Sequence, residues 1–223
     1  MNVADHIVYV VDDDLRSRES IENLLSSYGL RVALFASAAQ YVDSAKPDLP
    51  ACLILDVELP DINGLDLQRE LSGVPHPPIV FITGYGDIPG SVRAMKAGAV
   101  DFLSKPFEPG TLLEAVNCAL AHDRDARAIR SGLCELQSRY ASLTPRERDV
   151  FPLIVQGMLN KQAAAHLGIS IVTVQIHRGR IMHKMSAASL AELVRMSTKL
   201  GVDAESPVDQ DAGMSGITSQ RNG

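Results

Sequence analysis

Cysteine is scarce in this chain of 223 residues, and so are long hydrophobic runs. The three cysteines, Cys52, Cys118 and Cys134, are far apart and do not have the spacing of metal ligands. Because nothing in this pattern indicates disulfides, a reducing compartment fits. No apolar run reaches membrane-spanning length, and the N-terminus lacks the basic and apolar pattern of a secretory signal. We therefore expect a soluble, cytoplasmic protein with no membrane partner.

The net charge of −6 conceals two regions of opposite sign. Residues 1–118 contain 17 acidic and 8 basic side chains, whereas residues 143–201 contain 3 acidic and 8 basic ones. A basic segment beside an acidic one favours a polyanionic partner for the basic part. A merely solvated surface would have the same composition, so charge alone does not decide between these interpretations.

Short apolar runs alternate with helical patterns throughout residues 1–118. Continuous apolar runs of this length are typical of buried parallel strands, so we predict an α/β domain with five strands and five helices. Polar residues stand at the ends of four of these runs, namely Asp12 and Asp13, Asp56, Thr83 and Lys105. Ligands of parallel sheets bind at the carboxyl ends of the strands, so these side chains are expected to meet at one edge.

Three carboxylates, one hydroxyl and one ammonium at that edge suit a divalent metal and a phosphoryl group. A hard cation such as Mg²⁺ would relieve the repulsion between the carboxylates, and lysine suits a phosphoryl oxygen. The plain alternative is a set of solvated carboxylates that cap helices. Asp14 fits that alternative, because it stands where it can cap the first helix.

The rest of the chain predicts helices without strands. Residues 119–142 are polar and strongly charged, and we interpret them as a helical linker with a short apolar stripe: Ile129, Leu133, Leu136 and Tyr140. Thr144 and Glu147 have the spacing of a capping box, with Pro145 at the first helical position, which marks the start of a second domain at residue 143. Residues 202–223 are rich in Ser, Gly, Asp and Gln, and we predict a disordered tail there.

Residues 143–201 contain two predicted helices joined by a short turn with a glycine, which is the signature of a helix-turn-helix. We expect Asn160 to cap the first of these helices and Ser170 to cap the second, which covers residues 171–185. A last helix is expected to carry four apolar residues on one face: Leu190, Leu193, Val194 and Leu200.

The helix over 171–185 has two faces. At about 100° per residue, one face packs on the preceding helices through Val174, His177, Ile181 and Met185. The opposite face would enter the major groove of DNA with Gln175, Ile176, Gly179, Arg180 and His183. Gln175 can pair with adenine and Ile176 can contact a thymine methyl group. The candidate phosphate contacts, which position the helix without specifying a sequence, are Thr173, Arg178, Arg180 and Lys184.

The first 118 residues resemble the receiver domain of response regulators, because the polar residues named above stand at that family's motif positions, with Pro106 after Lys105. The run Phe-Ile-Thr-Gly-Tyr-Gly-Asp-Ile-Pro at 81–89 is similar to the FixJ, TodT and StyR group. Residues 143–201 resemble the LuxR/FixJ-type helix-turn-helix output domain. The resemblance implies a flavodoxin-like, doubly wound sheet of five parallel strands, followed by an all-α helix-turn-helix domain.

For the acidic edge, the resemblance implies that Asp56 accepts phosphate from a sensor histidine kinase. Mg²⁺ would be held directly by Asp13, Asp56 and the main-chain carbonyl of Glu58, while Asp12 would act mostly through water. The resemblance also implies that this chemistry is confined to the protein's own phosphorylation and dephosphorylation, so we do not expect an enzyme for outside substrates.

Three further roles follow from the same resemblance. Lys105 would neutralise the phosphoryl oxygens, and Thr83 would move to donate a hydrogen bond to the phosphate. Phe102 would be the switch aromatic that turns inward behind Thr83, although a simple core aromatic would have the same sequence signal. The family also suggests a cis peptide bond between Lys105 and Pro106.

We expect a transcription regulator that dimerises on phosphorylation through its fourth and fifth helices and fifth strand, binds a two-fold site on double-stranded DNA and contacts RNA polymerase. Two alternatives stay open. One is a Mg²⁺-dependent aspartyl phosphatase with Asp12 as nucleophile, which would leave Asp56 and the basic domain without a purpose. The other is a receiver that acts only by protein contact, with a helical domain that no longer binds DNA.

Overall fold

The computed structural model describes residues 6–84 and 88–202. The chain divides into two compact units, Met1–Arg130 and Ser131–Gly223. A search of the described residues finds no helix with the length and hydropathy of a membrane span. The disordered tail expected over 202–223 lies outside the described residues, apart from Val202.

The first unit is built on a parallel sheet of five strands in the order β2-β1-β3-β4-β5. The strands are β1 (Ile7–Val11), β2 (Val32–Phe35), β3 (Ala51–Asp56), β4 (Ile79–Thr83) and β5 (Asp101–Ser104). Every residue of β1, β3 and β4 is buried, because helices cover both faces of the sheet. Burial on both faces explains why these strands are continuous apolar runs in the sequence. The predicted five-stranded parallel sheet is confirmed.

Helices cover both faces of this sheet, as expected for a doubly wound fold. They are α1 (Leu15–Ser27), α2 (Ala38–Asp43), α3 (Gly64–Leu71), α4 (Ile88–Lys96) and α5 (Pro109–Ala141). Leu25 of α1 and Leu112 of α5 belong to the apolar cluster on one face. Tyr41 of α2, Leu67 of α3 and Ala94 of α4 belong to the cluster on the other face. Asp14 caps α1 as predicted, since its carboxylate accepts a hydrogen bond from the main chain of Arg16 at 3.0 Å.

The linker predicted over 119–142 is not a separate element. α5 continues through it without a break, because the segment contains no proline and only one glycine, Gly132. The apolar stripe is divided: Leu136 is buried and the ring of Tyr140 lies 5.2 Å from that of Phe151, whereas Ile129 is 73% exposed. Only the C-terminal half of the stripe therefore packs against the second unit's core.

Asp123 attaches the middle of α5 to the sheet of the first unit. This carboxylate is 2% exposed and accepts a hydrogen bond of 2.8 Å from the main-chain nitrogen of Ala51, where β3 begins. Arg127 pairs with Asp123 at 2.7 Å and also with Asp48. Because a buried carboxylate is costly without such partners, this group explains why the first unit extends past residue 118.

The described part of the second unit, residues 131–202, contains the end of α5 and four further helices. These are α6 (Pro145–Val155), α7 (Asn160–Leu167), α8 (Ile171–Met185) and α9 (Leu190–Leu200). The capping box of α6 is confirmed, since Thr144 and Glu147 exchange side-chain to main-chain hydrogen bonds of 2.8 and 3.3 Å. Ser170 caps α8 as predicted, with its hydroxyl 3.0 Å from the nitrogen of Thr173.

One local prediction in this unit is wrong. Asn160 does not cap α7 but is its first residue. Leu159 stands at the N-cap position, and its main-chain nitrogen donates to the side chain of Gln162 at 2.8 Å. On α9, Leu193 is fully buried but Val194 is 37% exposed. Ser197, four residues beyond Leu193 on the same face, takes the buried position instead.

Candidate functional site

The carboxyl edge of the sheet brings three carboxylates together. Asp12 follows β1 directly, Asp56 ends the neighbouring strand β3, and oxygens of Asp12, Asp13 and Asp56 lie within 4.8 Å of one another. Asp12 is fully buried and Asp56 is 5% exposed, whereas Asp13 is exposed. Parallel pairing of β1 with β3 is the cause, because it places the ends of both strands side by side.

Lys105 bridges the two buried carboxylates. Its Nζ lies 2.6 Å from Asp12 Oδ2 and 2.6 Å from Asp56 Oδ2. Burial by itself lowers the pKa of this lysine, but the hydrogen bonds and charges of both aspartates outweigh that effect and raise the pKa above its usual value. Lys105 is therefore a stable ammonium that neutralises one of the three negative charges.

The remaining hydrogen bonds show which carboxylate oxygens are free. Asp12 accepts from the Ser17 hydroxyl at 2.6 Å and from the main-chain nitrogen of Asp14 at 2.9 Å, in addition to Lys105. Asp56 accepts from Lys105 and from the main-chain nitrogen of Glu58 at 3.0 Å. A carboxylate has about four acceptor positions. Asp56 therefore keeps more unoccupied hydrogen-bond acceptor positions than Asp12 does.

The loop after β3 is folded back tightly around Asp56. Gly64 donates a main-chain hydrogen bond of 2.9 Å to Val57, and Glu58 forms a bridge with Asn63. A Cβ atom on Gly64 would lie 2.3 Å from the main-chain oxygen of Asp56, so no other residue fits without a backbone shift. The Asn63-Gly64 pair marks a turn-rich loop in the sequence, but the close approach of Gly64 to Asp56 appears only in the fold.

Thr83 and Phe102 lie on the two strands beyond Asp56. Thr83 ends β4 and is 1% exposed, and its main-chain oxygen accepts a hydrogen bond of 2.7 Å from the nitrogen of Lys105. Phe102 on β5 is half-buried, with its ring centroid 6.0 Å from that of Phe81. The peptide bond between Lys105 and Pro106 is cis. Lys105 follows β5 and reaches the acidic cluster across the end of β4, which lies between β5 and β3.

The helix α8 has the two faces expected from its sequence. Val174, Ile181 and Met185 are fully buried, while His177 is half-buried and its Nδ1 has no hydrogen-bond partner among the described residues. The five residues of the opposite face are all exposed: Gln175, Ile176, Gly179, Arg180 and His183.

Three of the four candidate phosphate contacts on α8 already have partners within the unit. Thr173 shares a hydrogen bond of 2.8 Å with Ser170, and Arg178 donates to Asn160 at 3.4 Å. The Nζ of Lys184 lies 2.7 Å from a carboxylate oxygen of Glu147, which is 1% exposed. Arg180 is exposed. The structure therefore gives Lys184 a role inside the domain that the sequence reasoning did not foresee.

The ion pair of Glu147 and Lys184 ties the end of α8 to the start of α6. Burial raises the pKa of Glu147, but the hydrogen bond from Lys184, together with those from Thr144, outweighs this and lowers the pKa below its usual value. Lys184 also donates to the main-chain oxygen of Ser142 at 3.1 Å. These contacts fix how α8 is presented by the domain.

The shape of the surface does not by itself locate the acidic site. A cleft of about 690 Å³ lies between α3 and α4, lined by residues that include Arg69, Arg93 and Lys96. None of the clustered aspartates lines it. The chemistry of the strand ends, rather than cavity volume, therefore identifies the candidate site.

Comparisons with known proteins agree with this architecture. Residues 8–117 match the response regulator receiver domain, and residues 141–197 match the LuxR family of bacterial regulatory proteins. The chain is 51% identical to nodulation protein W of Bradyrhizobium diazoefficiens, over 89% of this chain and 88% of that protein. It is 43% identical to response regulator protein TmoT of Ectopseudomonas mendocina, over 90% and 91% of the two chains. A solved structure of the response regulator StyR superposes with a TM-score of 0.80 at 44% identity, over 88% of this chain and 100% of that one.

A receiver domain followed by a helix-turn-helix domain defines the class of DNA-binding regulators of two-component systems. The chain belongs to the response regulator family, in the group that joins a receiver domain to a LuxR-type DNA-binding domain. The family resemblance and the fold class inferred from the sequence are confirmed. Its relatives are transcriptional response regulators and not classical enzymes.

We expect the ion pair between buried Glu147 and partly exposed Lys184 to make the stability of the second unit depend on pH. We expect Glu147→Gln to lower the free energy of unfolding by about 2 kcal/mol at neutral pH, because a charged hydrogen bond is lost from a buried position. Since folding lowers the pKa of Glu147, its contribution is present above the ordinary value of 4.5 and is lost as the pH falls through the lower folded value. Urea unfolding followed from neutral pH to about pH 3 measures this difference.

Asp149→Asn on the same helix is the matched control, because Asp149 pairs with Arg146 at an exposed position. It should change the stability by less than about 0.5 kcal/mol throughout. A Glu147→Gln deficit that stayed constant down to acid pH would contradict the importance of the ion pair.

Proposed function

We propose that the protein is a phosphorylation-dependent transcription regulator in which Asp56 accepts phosphate from a sensor histidine kinase. The observation that carries the proposal is the bridging of buried Asp12 and Asp56 by Lys105 beside a third carboxylate. The target is DNA, so we place the protein in the cytoplasm, and contact with RNA polymerase is part of the same proposal.

The donor set fits Mg²⁺. Three carboxylates and one ammonium leave a net charge of −2, and oxygen ligands are those that Mg²⁺ prefers. Asp13 and Asp56 would hold the ion directly with the main-chain carbonyl of Glu58, while Asp12, whose oxygens are mostly occupied, would contribute through water. When bound, the ion supplies positive charge next to the phosphoryl oxygens.

The residues of the site divide the work of phosphoryl transfer. An oxygen of Asp56 forms a bond to phosphorus while the bond from phosphorus to the imidazole nitrogen of the donor histidine breaks. Lys105 then pairs with a phosphoryl oxygen in place of a carboxylate, which is electrostatic stabilisation by a group already in position. The transfer needs little else from the protein, because positioning and charge account for most of its catalysis.

Thr83 and Phe102 are placed to change conformation when Asp56 is phosphorylated. Thr83 is on the strand between Asp56 and Lys105, and its hydroxyl would donate to the phosphate. Phe102 is on β5, which pairs with β4, and its ring would turn inward behind Thr83. The adjoining helix α4 exposes Ile88, Val92 and Met95, which are 76%, 47% and 46% exposed. These side chains support a dimer through α4, β5 and α5 in the phosphorylated form.

DNA recognition is assigned to the exposed face of α8. Gln175 and Ile176 would contact bases, with Gly179 and His183 on the same face, while Arg180 would contact phosphate. Thr173 and Arg178, and Lys184 in spite of its ion pair, stay candidates for further phosphate contacts. A dimer would present two such helices to a two-fold site.

The structure weakens the phosphatase alternative. Asp12 would have to be the nucleophile, but it is fully buried and three donors already occupy its oxygens. Asp56 lies in the same cluster and has more unoccupied acceptor positions on its carboxylate than Asp12 has. The chemistry therefore favours a phosphorylated switch over turnover of outside substrates.

Phosphorylation depends on Asp56 in this proposal. We expect Asp56→Asn to abolish the Mg²⁺-dependent mass gain of one phosphoryl group after incubation with acetyl phosphate, because an amide cannot form the acyl phosphate. Intact-protein mass spectrometry with and without Mg²⁺ measures this. Asp66→Asn is the control, because Asp66 lies on α3 in an exposed pair with Arg69, and it should be labelled like the wild type. Labelling of Asp56→Asn at the wild-type level would refute the assignment.

The electrostatic part of DNA binding depends on Arg180. Removal of one phosphate contact should lower the slope of log Kobs against log salt by about 0.9. We therefore expect Arg180→Ala to reduce the slope by this amount on a generic duplex, as measured by fluorescence anisotropy over a range of salt concentrations. Lys199→Ala removes an exposed charge from α9 and should leave the slope unchanged. Equal effects of both variants would indicate nonspecific charge rather than a contact of α8.

A further inference from the structure

Ser17 supports the acidic site from α1, although no sequence motif indicates this role. Its hydroxyl donates to Asp12 Oδ2 at 2.6 Å, which is the same oxygen that Lys105 contacts at 2.6 Å. Ser17 lies in the first turn of α1 and is half-buried, while Asp12 is fully buried. The hydroxyl is therefore one of two side-chain donors to a carboxylate oxygen shielded from water.

The first turn of α1 holds Asp12 independently of Lys105. Besides Ser17, the guanidinium of Arg18 donates to the main-chain oxygen of Asp12 at 2.5 Å, and the nitrogen of Asp14 donates to its Oδ1 at 2.9 Å. All three donors come from residues within six positions of Asp12, on or beside one capped helix. Because none of these three hydrogen bonds involves Lys105, they remain if Lys105 moves away from Asp12.

Lys105 has to serve two sets of oxygens. In the structure it neutralises Asp12 and Asp56, but in the proposed function it pairs with the phosphoryl group. When it leaves Asp12 Oδ2, that buried oxygen loses one of its two donors. A buried carboxylate oxygen without any donor would cost about 1–3 kcal/mol.

We propose that Ser17 is a positioning residue that keeps Asp12 Oδ2 hydrogen-bonded when Lys105 transfers to the phosphoryl group. Ser17 thereby favours the phosphorylated form without contacting the phosphate. The inference rests on the proposed function of Asp56 and Lys105.

The experiment compares Ser17→Ala and Ser17→Thr with the wild-type full-length protein. Isothermal titration with Mg²⁺ alone, and then with beryllofluoride in saturating Mg²⁺ as an acyl phosphate mimic, separates the two states. We expect Ser17→Ala to bind Mg²⁺ within about twofold of the wild type, because Lys105 still covers Asp12, but to bind beryllofluoride about tenfold more weakly. Ser17→Thr keeps the hydroxyl and should bind both like the wild type.

Other outcomes overturn the inference. Wild-type affinity of Ser17→Ala for beryllofluoride would show that the hydroxyl is not needed when Lys105 moves. An equal loss of Mg²⁺ and beryllofluoride affinity, or a Ser17→Thr variant as weak as Ser17→Ala, would indicate a general disturbance of the site. If the wild type itself bound neither Mg²⁺ nor beryllofluoride, the proposed function, and not only the role of Ser17, would fail.

Discussion

The contact of Lys105 with two buried aspartates is the interaction on which the receiver's site depends. Burial of Asp12 and Asp56 without a counter-charge would cost several kcal/mol each, and one ammonium 2.6 Å from both offsets that cost. The arrangement requires three strands in a fixed order, because β1 and β3 supply the carboxylates and β5 brings the lysine. One positive charge for three negative ones leaves the site with a net negative charge. This imbalance is the physical basis of the proposal that the site binds a cation and then a phosphoryl group.

The two units of the chain divide the work by charge. The first concentrates acidic groups around the sheet edge, whereas the second presents an exposed face of α8 in a basic region. α5 contributes residues to both units, since Leu112 is buried in the core of the first and Leu136 in the core of the second. Asp123 fixes this helix at the start of β3, the strand that ends in Asp56. The strand β3 thus contacts α5 at its start and ends in Asp56, the proposed phosphate acceptor.

Sequence reasoning succeeded where local chemistry decides the outcome. Apolar runs at parallel-strand spacing located Asp12, Asp56 and Thr83 at one edge, and Thr144 and Ser170 capped their helices as expected. It failed where the partner comes from a distant part of the chain. Lys184 has the sequence signature of a solvent-exposed cation, and only the packing of α8 on α6 reveals its pair with Glu147. Ser17 and Asp123 were missed for the same reason, since neither spacing nor composition records a tertiary hydrogen bond.

The most direct test of the account is a crystal structure of the full-length protein with Mg²⁺ and beryllofluoride. The account predicts that Lys105 Nζ leaves Asp12 Oδ2 and contacts a fluorine atom of the beryllofluoride bound to Asp56. Asp13 and Asp56 should coordinate Mg²⁺, and Ser17 should still donate its hydrogen bond to Asp12. A structure in which beryllofluoride is bound to Asp56 while Lys105 stays 2.6 Å from Asp12 would contradict it.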